Sequence, residues 1–387
     1  MDQPFLTVPP SMIKDGTVTD AYFNRTDETL AHAGRNPNVV AEVTADQFGD
    51  GTFEVLAGMN EVADLFEDIP VDVDALPEGT LFDGGPVLTI EGPYRSFLRY
   101  ETALLGLLSQ ASAFATRALA ARVVAGSTPL LSFGSRHLHP VLAAVVERSA
   151  LIGGFDGISN EAAGELLGRE ASGTMPHSLL LIYGQDHMPE AWLAFDEAVD
   201  DDVARIALCD TFTDERVESL EAARTLGDAL EGVRLDTTGS RRGDFKHIVR
   251  EVRWELDANG FEHVDIFISG GIGLELIDRL NPHADGFGVG SFITSAPPVD
   301  FALDIVEVDG TPTAKRGKLS GRKHVYRTEA GEHVVSRVDT SPPPNATSLM
   351  QPLVRDGEIV TDFDIDTAAE RARQEAAHVA FDPWDHT

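Results

Sequence analysis

Asp236 stands in "GVRLDTTGSRRGDF" (residues 232–245), where a short apolar run ends in Arg234, Asp236 and Thr237, with Thr238, Arg241 and Arg242 just beyond. A carboxylate beside hydroxyls suits a ribose diol or a Mg²⁺ ion, because Mg²⁺ takes few protein ligands and shares the phosphates of its substrate. A surface ion pair between Arg234 and Asp236 would explain the same residues. Asp210, in "CDTFTDE", is a run-end carboxylate of the same kind. Two further runs end in glycines, Ser269-Gly270-Gly271-Ile272-Gly273 and Gly286-Phe287-Gly288-Val289-Gly290-Ser291, with Gly153-Gly154 a third candidate. Glycines there let backbone amides approach a phosphate closely, although glycine also ends strands for packing reasons.

"SFGSRHLHP" offers Phe133 and Arg136. An aromatic face and a guanidinium at one strand end could hold a planar ring bearing a carboxylate, by stacking and by a bidentate salt bridge. In "SGTMPHSLL" (172–180), Thr174 is placed to cap a helix whose first turn carries Pro176. His177 then sits at a strand-to-helix junction, near N–H groups that attract anions; a packed histidine with one hydrogen bond is the plainer reading. The strip "PTAKRGKLSGRKHVYR" (312–327) holds Lys315, Arg316, Lys318, Arg322, Lys323 and Arg327 and no acid. The whole chain has only five lysines, and three of them fall here. A multiply charged anion such as pyrophosphate would account for that concentration; an RNA backbone would ask for more interleaved aromatics.

Elements must carry these groups to one place. Residues 1–100 read as strands and loops, and "YETALLGLLSQASAFATRALAARVVAG" (100–126) as a long helix, apolar on more than one face and therefore buried. From 125 to 295 short apolar runs alternate with helical segments, the signature of a parallel sheet covered on both sides. Six or seven such units suggest a barrel, complete or not, with its chemistry at the C-terminal edge of the strands. After 295 come turns, short strands and an acidic helical tail. The expected organisation is an N-terminal domain over 1–115, an α/β barrel over 116–298, and a segment over 299–387 that returns to the N-terminal domain.

Composition sets outer bounds. Sixty-four acidic against 30 basic residues give a net charge of −34. A surface so acidic suits molar salt, where the screening length falls to about 3 Å. It disfavours duplex nucleic acid as a partner, and the acid is spread rather than blocked. The lone Cys209 excludes an internal disulfide and a cysteine-cluster metal site. The apolar runs look too short for a membrane span, and the N-terminus lacks a basic start and an apolar core. A cytoplasmic protein is the default expectation.

With the motifs "TDAYFNRT", "YETALLGLLSQASAFATRA", "FGSRH", "GGFDGISNEAAGELLGREASGTMPHS", "VRLDT", "SGGI", "DGFGVGS" and "GRKHVYR" in family order, the chain resembles the nicotinate phosphoribosyltransferases in their shorter archaeal form, from about residue 17 to 330. The resemblance implies an N-terminal sandwich-like α+β domain packed on an incomplete α/β barrel of the type II phosphoribosyltransferase kind. It further implies a homodimer or higher homo-oligomer with shared sites. Phe133 and a neighbouring subunit's Tyr22 would sandwich the pyridine ring, and Arg136 would face its carboxylate. Asp20 and Thr174, in two of the matching motifs, join the substrate-binding set. Arg234 and Asp236 would hold phosphoribosyl pyrophosphate with Mg²⁺. Ser269, Gly270, Gly271, Gly288 and Gly290 would cradle the 5′-phosphate, and Lys318, Arg322 and Lys323 would neutralise phosphates. His177 matches a histidine that bacterial relatives phosphorylate with ATP, a co-substrate in that scheme. Two positions depart from the bacterial pattern: His137 replaces a second arginine, and Pro176 precedes His177. A nicotinamide or quinolinate phosphoribosyltransferase would share the phosphate sites but differ at the ring, and a non-enzymatic polyanion- or protein-binding module would not need glycine-ended strands.

Overall fold

The computed structural model describes residues 5–45, 52–237, 239 and 243–387. Thr238, Arg241 and Arg242 lie outside the described residues. The chain divides into two compact units: 1–119 with 152–154 and 296–385, and 120–151 with 155–295 and the last two residues.

The first unit is built on a seven-stranded sheet in the order 311–312, 301–308, 38–45, 86–93, 72–75, 351–355, 358–359. An interior strand, Asn38–Ala45, pairs antiparallel with a neighbour on each side. Val39, Ala41 and Val43 of that strand join Leu88, Ile90, Phe66, Leu104 and Leu108 in the core. Helices over Pro10–Lys14, Ala21–His32 and Met59–Phe66 correct the strand-and-loop expectation for the first hundred residues. The 21–32 helix buries only Phe23 and Asp27, so it has no apolar stripe to advertise it.

Helix Glu101–Ala125 is apolar on all sides. Together with the preceding turns (94–125) it is long and apolar enough to cross a membrane, which corrects the expectation that no stretch is. Two thirds of an 18-residue window within that stretch is buried inside the protein. Its hydroxyls serve the backbone of its own unit: Val55 N donates to Thr116 Oγ1 at 2.8 Å, and Ala57 N to Ser112 Oγ at 3.1 Å. Gly153 owes its identity to this helix, since a Cβ there would stand 2.3 Å from that of Ala118. Packing, not phosphate, explains that glycine.

The second unit is a six-stranded parallel sheet in the order 157–158, 130–132, 286–289, 265–268, 232–235, 206–208. Its strands are short and buried, as parallel strands covered by crossover helices must be. Among the described residues the 157–158 and 206–208 strands do not pair with each other, so the sheet is a half-barrel. The run "ALIGGFDGIS" (150–159) is extended only at Gly157–Ile158; Ala150–Ile152 close the helix Ala143–Ile152 and Gly153–Gly154 turn. Arg122 donates to the carbonyls of Gly126 and Thr128 at 2.9 Å and pairs with Asp156, whose carboxylate accepts from Leu130 N at 2.8 Å. That network fixes the start of the 130–132 strand.

Candidate active site

A cleft of about 750 Å³ opens where the parallel strands end. The residues that follow the strands line it: Phe133 and Arg136 after 130–132, Asp236 after 232–235, Ser269 to Gly271 after 265–268, and Gly290 after 286–289, with Arg234 and Gly288 within their strands. Ser172 to Pro176 add a further wall. The half-barrel thus gathers most of the strand-end residues singled out from sequence into one place.

On one side is a ring and a cation. Phe133 N donates to Val289 O at 2.8 Å, extending the sheet by one bond and setting the ring over the next strand. A Cβ at Gly288 would stand 2.2 Å from that ring, and one at Gly290 would stand 2.7 Å from the Phe133 carbonyl. These two glycines therefore answer to Phe133, a reason other than the phosphate cradle expected of them. Arg136 is exposed. Beneath this turn lies a residue the sequence did not flag: Glu147, fully buried on helix Ala143–Ile152, accepts a hydrogen bond from Ser135 Oγ. Burial pushes its carboxyl up, and the serine hydrogen bonds oppose that rise.

On the other side are carboxylates. Asp236 Oδ1 accepts from Ser269 Oγ at 2.7 Å. Gly270 has φ +87°, and a Cβ there would collide with the Asp236 carbonyl at 1.9 Å, so only glycine lets the two strand ends approach. Asp210 is buried; its Oδ2 accepts from Asp236 N, from Thr237 N at 2.8 Å and from Thr237 Oγ1 at 2.9 Å. Burial raises the Asp210 pKa, the hydrogen bonds from Asp236 N and Thr237 lower it, and its second oxygen has no hydrogen-bond partner. Arg234 Nη2 donates to Met175 O at 3.0 Å. Burial holds its pKa below the ordinary value, with Asp236 and Asp210 pulling upward and Arg136 downward.

His177 begins the helix His177–Tyr183, and its N-cap is Pro176, not Thr174. Thr174 instead lines the cleft, its buried hydroxyl unpaired, because Pro176 already sets the extended entry to the helix. The imidazole meets Thr211 Oγ1 through Nδ1 at 3.1 Å. Its Nε2 faces Asp236 Oδ2 at 3.6 Å and Asp210 Oδ1 at 3.7 Å.

Five expected site residues belong to the other compact unit. Tyr22 is 55% exposed on the 21–32 helix. Asp20 accepts from Thr102 Oγ1 at 3.0 Å, which ties it to the long helix. Lys318 pairs with Asp304 at 3.1 Å. Arg322 and Lys323 already have counter-charges. Lys323 is buried, with its Nζ 2.8 Å from Glu42 Oε2 and donating to two backbone carbonyls, and Arg322 reaches Glu91 at 2.6 Å and also Asp74. Their counter-charges are acids of their own unit, so neither needs a phosphate.

Family models for the N-terminal and C-terminal domains of quinolinate phosphoribosyl transferase match residues 20–112 and 113–304. The fold is thus that of the type II phosphoribosyltransferases, which include a half-barrel and an α+β domain. A nicotinate phosphoribosyltransferase of Mycobacterium tuberculosis is 30% identical over 322 residues, 77% of this chain and 70% of its own. The chain belongs to the nicotinate phosphoribosyltransferase family. The crystal structure of nicotinate-nucleotide pyrophosphorylase from Pyrococcus furiosus is similar at a TM-score of 0.92 and 46% identity, covering 98% of this chain and 99% of that one. Human nicotinic acid phosphoribosyltransferase shares the fold, with a TM-score of 0.78 at 21% identity over 95% of each chain.

Proposed function

We propose that the protein transfers the phosphoribosyl group of phosphoribosyl pyrophosphate to the ring nitrogen of nicotinate, giving nicotinate mononucleotide and pyrophosphate for NAD biosynthesis. The observation that carries this reading is the pairing, in one cleft, of the exposed Arg136 beside Phe133 with the carboxylate wall at Asp236. Phe133 stacks on the pyridine ring and Arg136 binds its carboxylate. Quinolinate, with a second carboxylate, asks for another cation on the ring side, and Arg234, flanked by Asp236 and Asp210, lies with the carboxylates instead.

Asp236, with Asp210 behind it, holds the ribose–pyrophosphate side, and Arg234 stabilises the charge that gathers on departing pyrophosphate. The amides around Ser269, Gly270 and Gly271 receive the 5′-phosphate. Asp236 Oδ2 and the unpaired Oδ1 of Asp210 are oxygen donors of the kind Mg²⁺ takes. Among the described residues no cluster of three or more His, Cys, Asp or Glu could enclose a metal, which suits an ion held mainly by substrate phosphates. Mg²⁺ bound there supplies charge neutralisation of the pyrophosphate. Positioning does most of the remaining work, since attack by the ring nitrogen needs no covalent protein nucleophile on the ribose.

His177, whose Nε2 lies 3.6 Å from Asp236 Oδ2, takes a phosphoryl group from ATP in this reading, which would couple ATP hydrolysis to synthesis. The working form is a homodimer or larger oligomer in the cytoplasm, with the exposed Tyr22 of one copy closing the ring site of another. Incubation with labelled ATP tests the coupling. Acid-labile, base-stable phosphate that disappears in His177→Asn is expected; equal label on the mutant would exclude His177 as acceptor.

A further inference from the structure

We infer that Thr211, held by Glu218, is a positioning residue that selects which nitrogen of His177 faces the reacting phosphates; the inference rests on the role proposed for His177. Thr211 follows the Ile206–Leu208 strand, on a turn with no regular structure of its own. Its backbone is held by one buried carboxyl group. Glu218 Oε2 accepts from Thr211 N at 2.8 Å, and Oε1 accepts from Phe212 N at 2.7 Å and from Thr213 N. Glu218 lies on helix Glu215–Leu226, whose packing buries it completely. A turn whose three successive N–H groups converge on one buried carboxyl has little freedom, and Thr211 Oγ1 inherits that rigidity.

The consequence falls on the imidazole. With Nδ1 at 3.1 Å from Thr211 Oγ1, the ring presents Nε2 to Asp210 Oδ1 and Asp236 Oδ2 at 3.7 and 3.6 Å. Both separations exceed a direct hydrogen bond, so Nε2 is committed to neither carboxylate. A flipped ring would set a C–H against the threonine hydroxyl and forfeit that bond. Whichever partner carries the proton, the hydroxyl favours one face, and the nitrogen on the other side is the one that meets phosphate.

The test is ¹⁵N NMR of the histidine-labelled protein, with the His177 signal assigned by its loss in His177→Asn, alongside steady-state kinetics. Thr211→Val keeps the shape and removes the hydroxyl. It should change the Nδ1/Nε2 shift pattern of His177 and lower kcat about tenfold, the size expected for one lost hydrogen bond, with both substrate KM values little changed. Thr211→Ser should restore both. Thr211→Val with the wild-type ¹⁵N pattern overturns the inference, whether kcat is kept or lost. If the wild-type protein makes no nicotinate mononucleotide, the activity reading fails on its own, and the ¹⁵N pattern still decides the role of Thr211.

Discussion

Gly288 has no side chain because the Phe133 ring occupies the space where one would stand. A Cβ there falls 2.2 Å from Cε2 and 2.6 Å from Cδ2 of that ring. Tight but tolerable contact begins at 3.0–3.4 Å, so Gly288→Ala asks for a retreat of roughly 1 Å. The strand cannot give way easily, since 286–289 is paired on both sides, with 265–268 and 130–132. The ring must move instead. A stacked pair contributes about 0.5–1.5 kcal/mol, so its loss alone raises nicotinate KM by up to about tenfold. Misplacing the ring nitrogen by about 1 Å can cost a further factor on the order of a hundred in turnover. Phosphoribosyl pyrophosphate binding, measured by calorimetry with Mg²⁺, should change little. Gly270→Ala should do the reverse, because its Cβ meets the Asp236 carbonyl at 1.9 Å on a backbone with φ +87°. The reasoning is refuted by a Gly288→Ala protein of native circular dichroism whose nicotinate KM is unchanged, or which loses both substrates equally.

Three other outcomes follow from the same contacts. Lys323→Met leaves Glu42 buried without its cation and should cost about 3–5 kcal/mol in denaturant melts, while the folded fraction binds phosphoribosyl pyrophosphate as before; weakened binding would return Lys323 to the phosphate site. Burial pushes Glu54 up to about 7, with a Thr116 hydrogen bond and Arg117 opposing. The folded state therefore keeps a proton that the unfolded chain releases near pH 4.3, so stability present below that pH declines as pH rises toward 7, by up to about 4 kcal/mol. Glu54→Gln should flatten that slope in melts from pH 4.5 to 8; an unaltered slope would count against it. Lowering salt from 1 M to 10 mM lengthens screening from about 3 Å to about 30 Å, so 64 acids against 30 bases should unfold the chain; native circular dichroism after such dialysis would contradict that.

The legible part of the site was the part that lies close along the chain. Buried parallel strands write themselves as unbroken apolar runs, and Asp236, Ser269, Gly270 and Phe133 follow directly on such runs. The partners of the basic strip were not legible, because charge density along one segment says nothing of what crosses it in space. Glu42, Asp74 and Glu91, from strands far earlier in the chain, meet Arg322 and Lys323. Glu147 and Glu218 were hidden for a related reason: each sits in a helix beside other charged residues, Arg148 for one and two further glutamates for the other, where a carboxylate ordinarily faces water. Only packing shows that one supports the Phe133–Arg136 turn and the other the His177 contact. Thr174 reads as a cap only with Pro176 inside the helix, whereas Pro176 itself stands at the cap position.

The central claim is that Arg136 and Phe133 make this cleft a nicotinate site. It is tested most directly by product formation from nicotinate, nicotinamide and quinolinate, each with phosphoribosyl pyrophosphate and Mg²⁺ in molar KCl, with and without ATP, for wild type and Arg136→Ala. The wild type should yield nicotinate mononucleotide from nicotinate, with ATP raising the yield, and little product from the other two. Arg136→Ala should raise nicotinate KM at least about tenfold, the loss of a charge-assisted bidentate contact, without changing the affinity for phosphoribosyl pyrophosphate. Faster turnover of quinolinate than of nicotinate, or an Arg136→Ala enzyme with the wild-type nicotinate KM, would contradict the account.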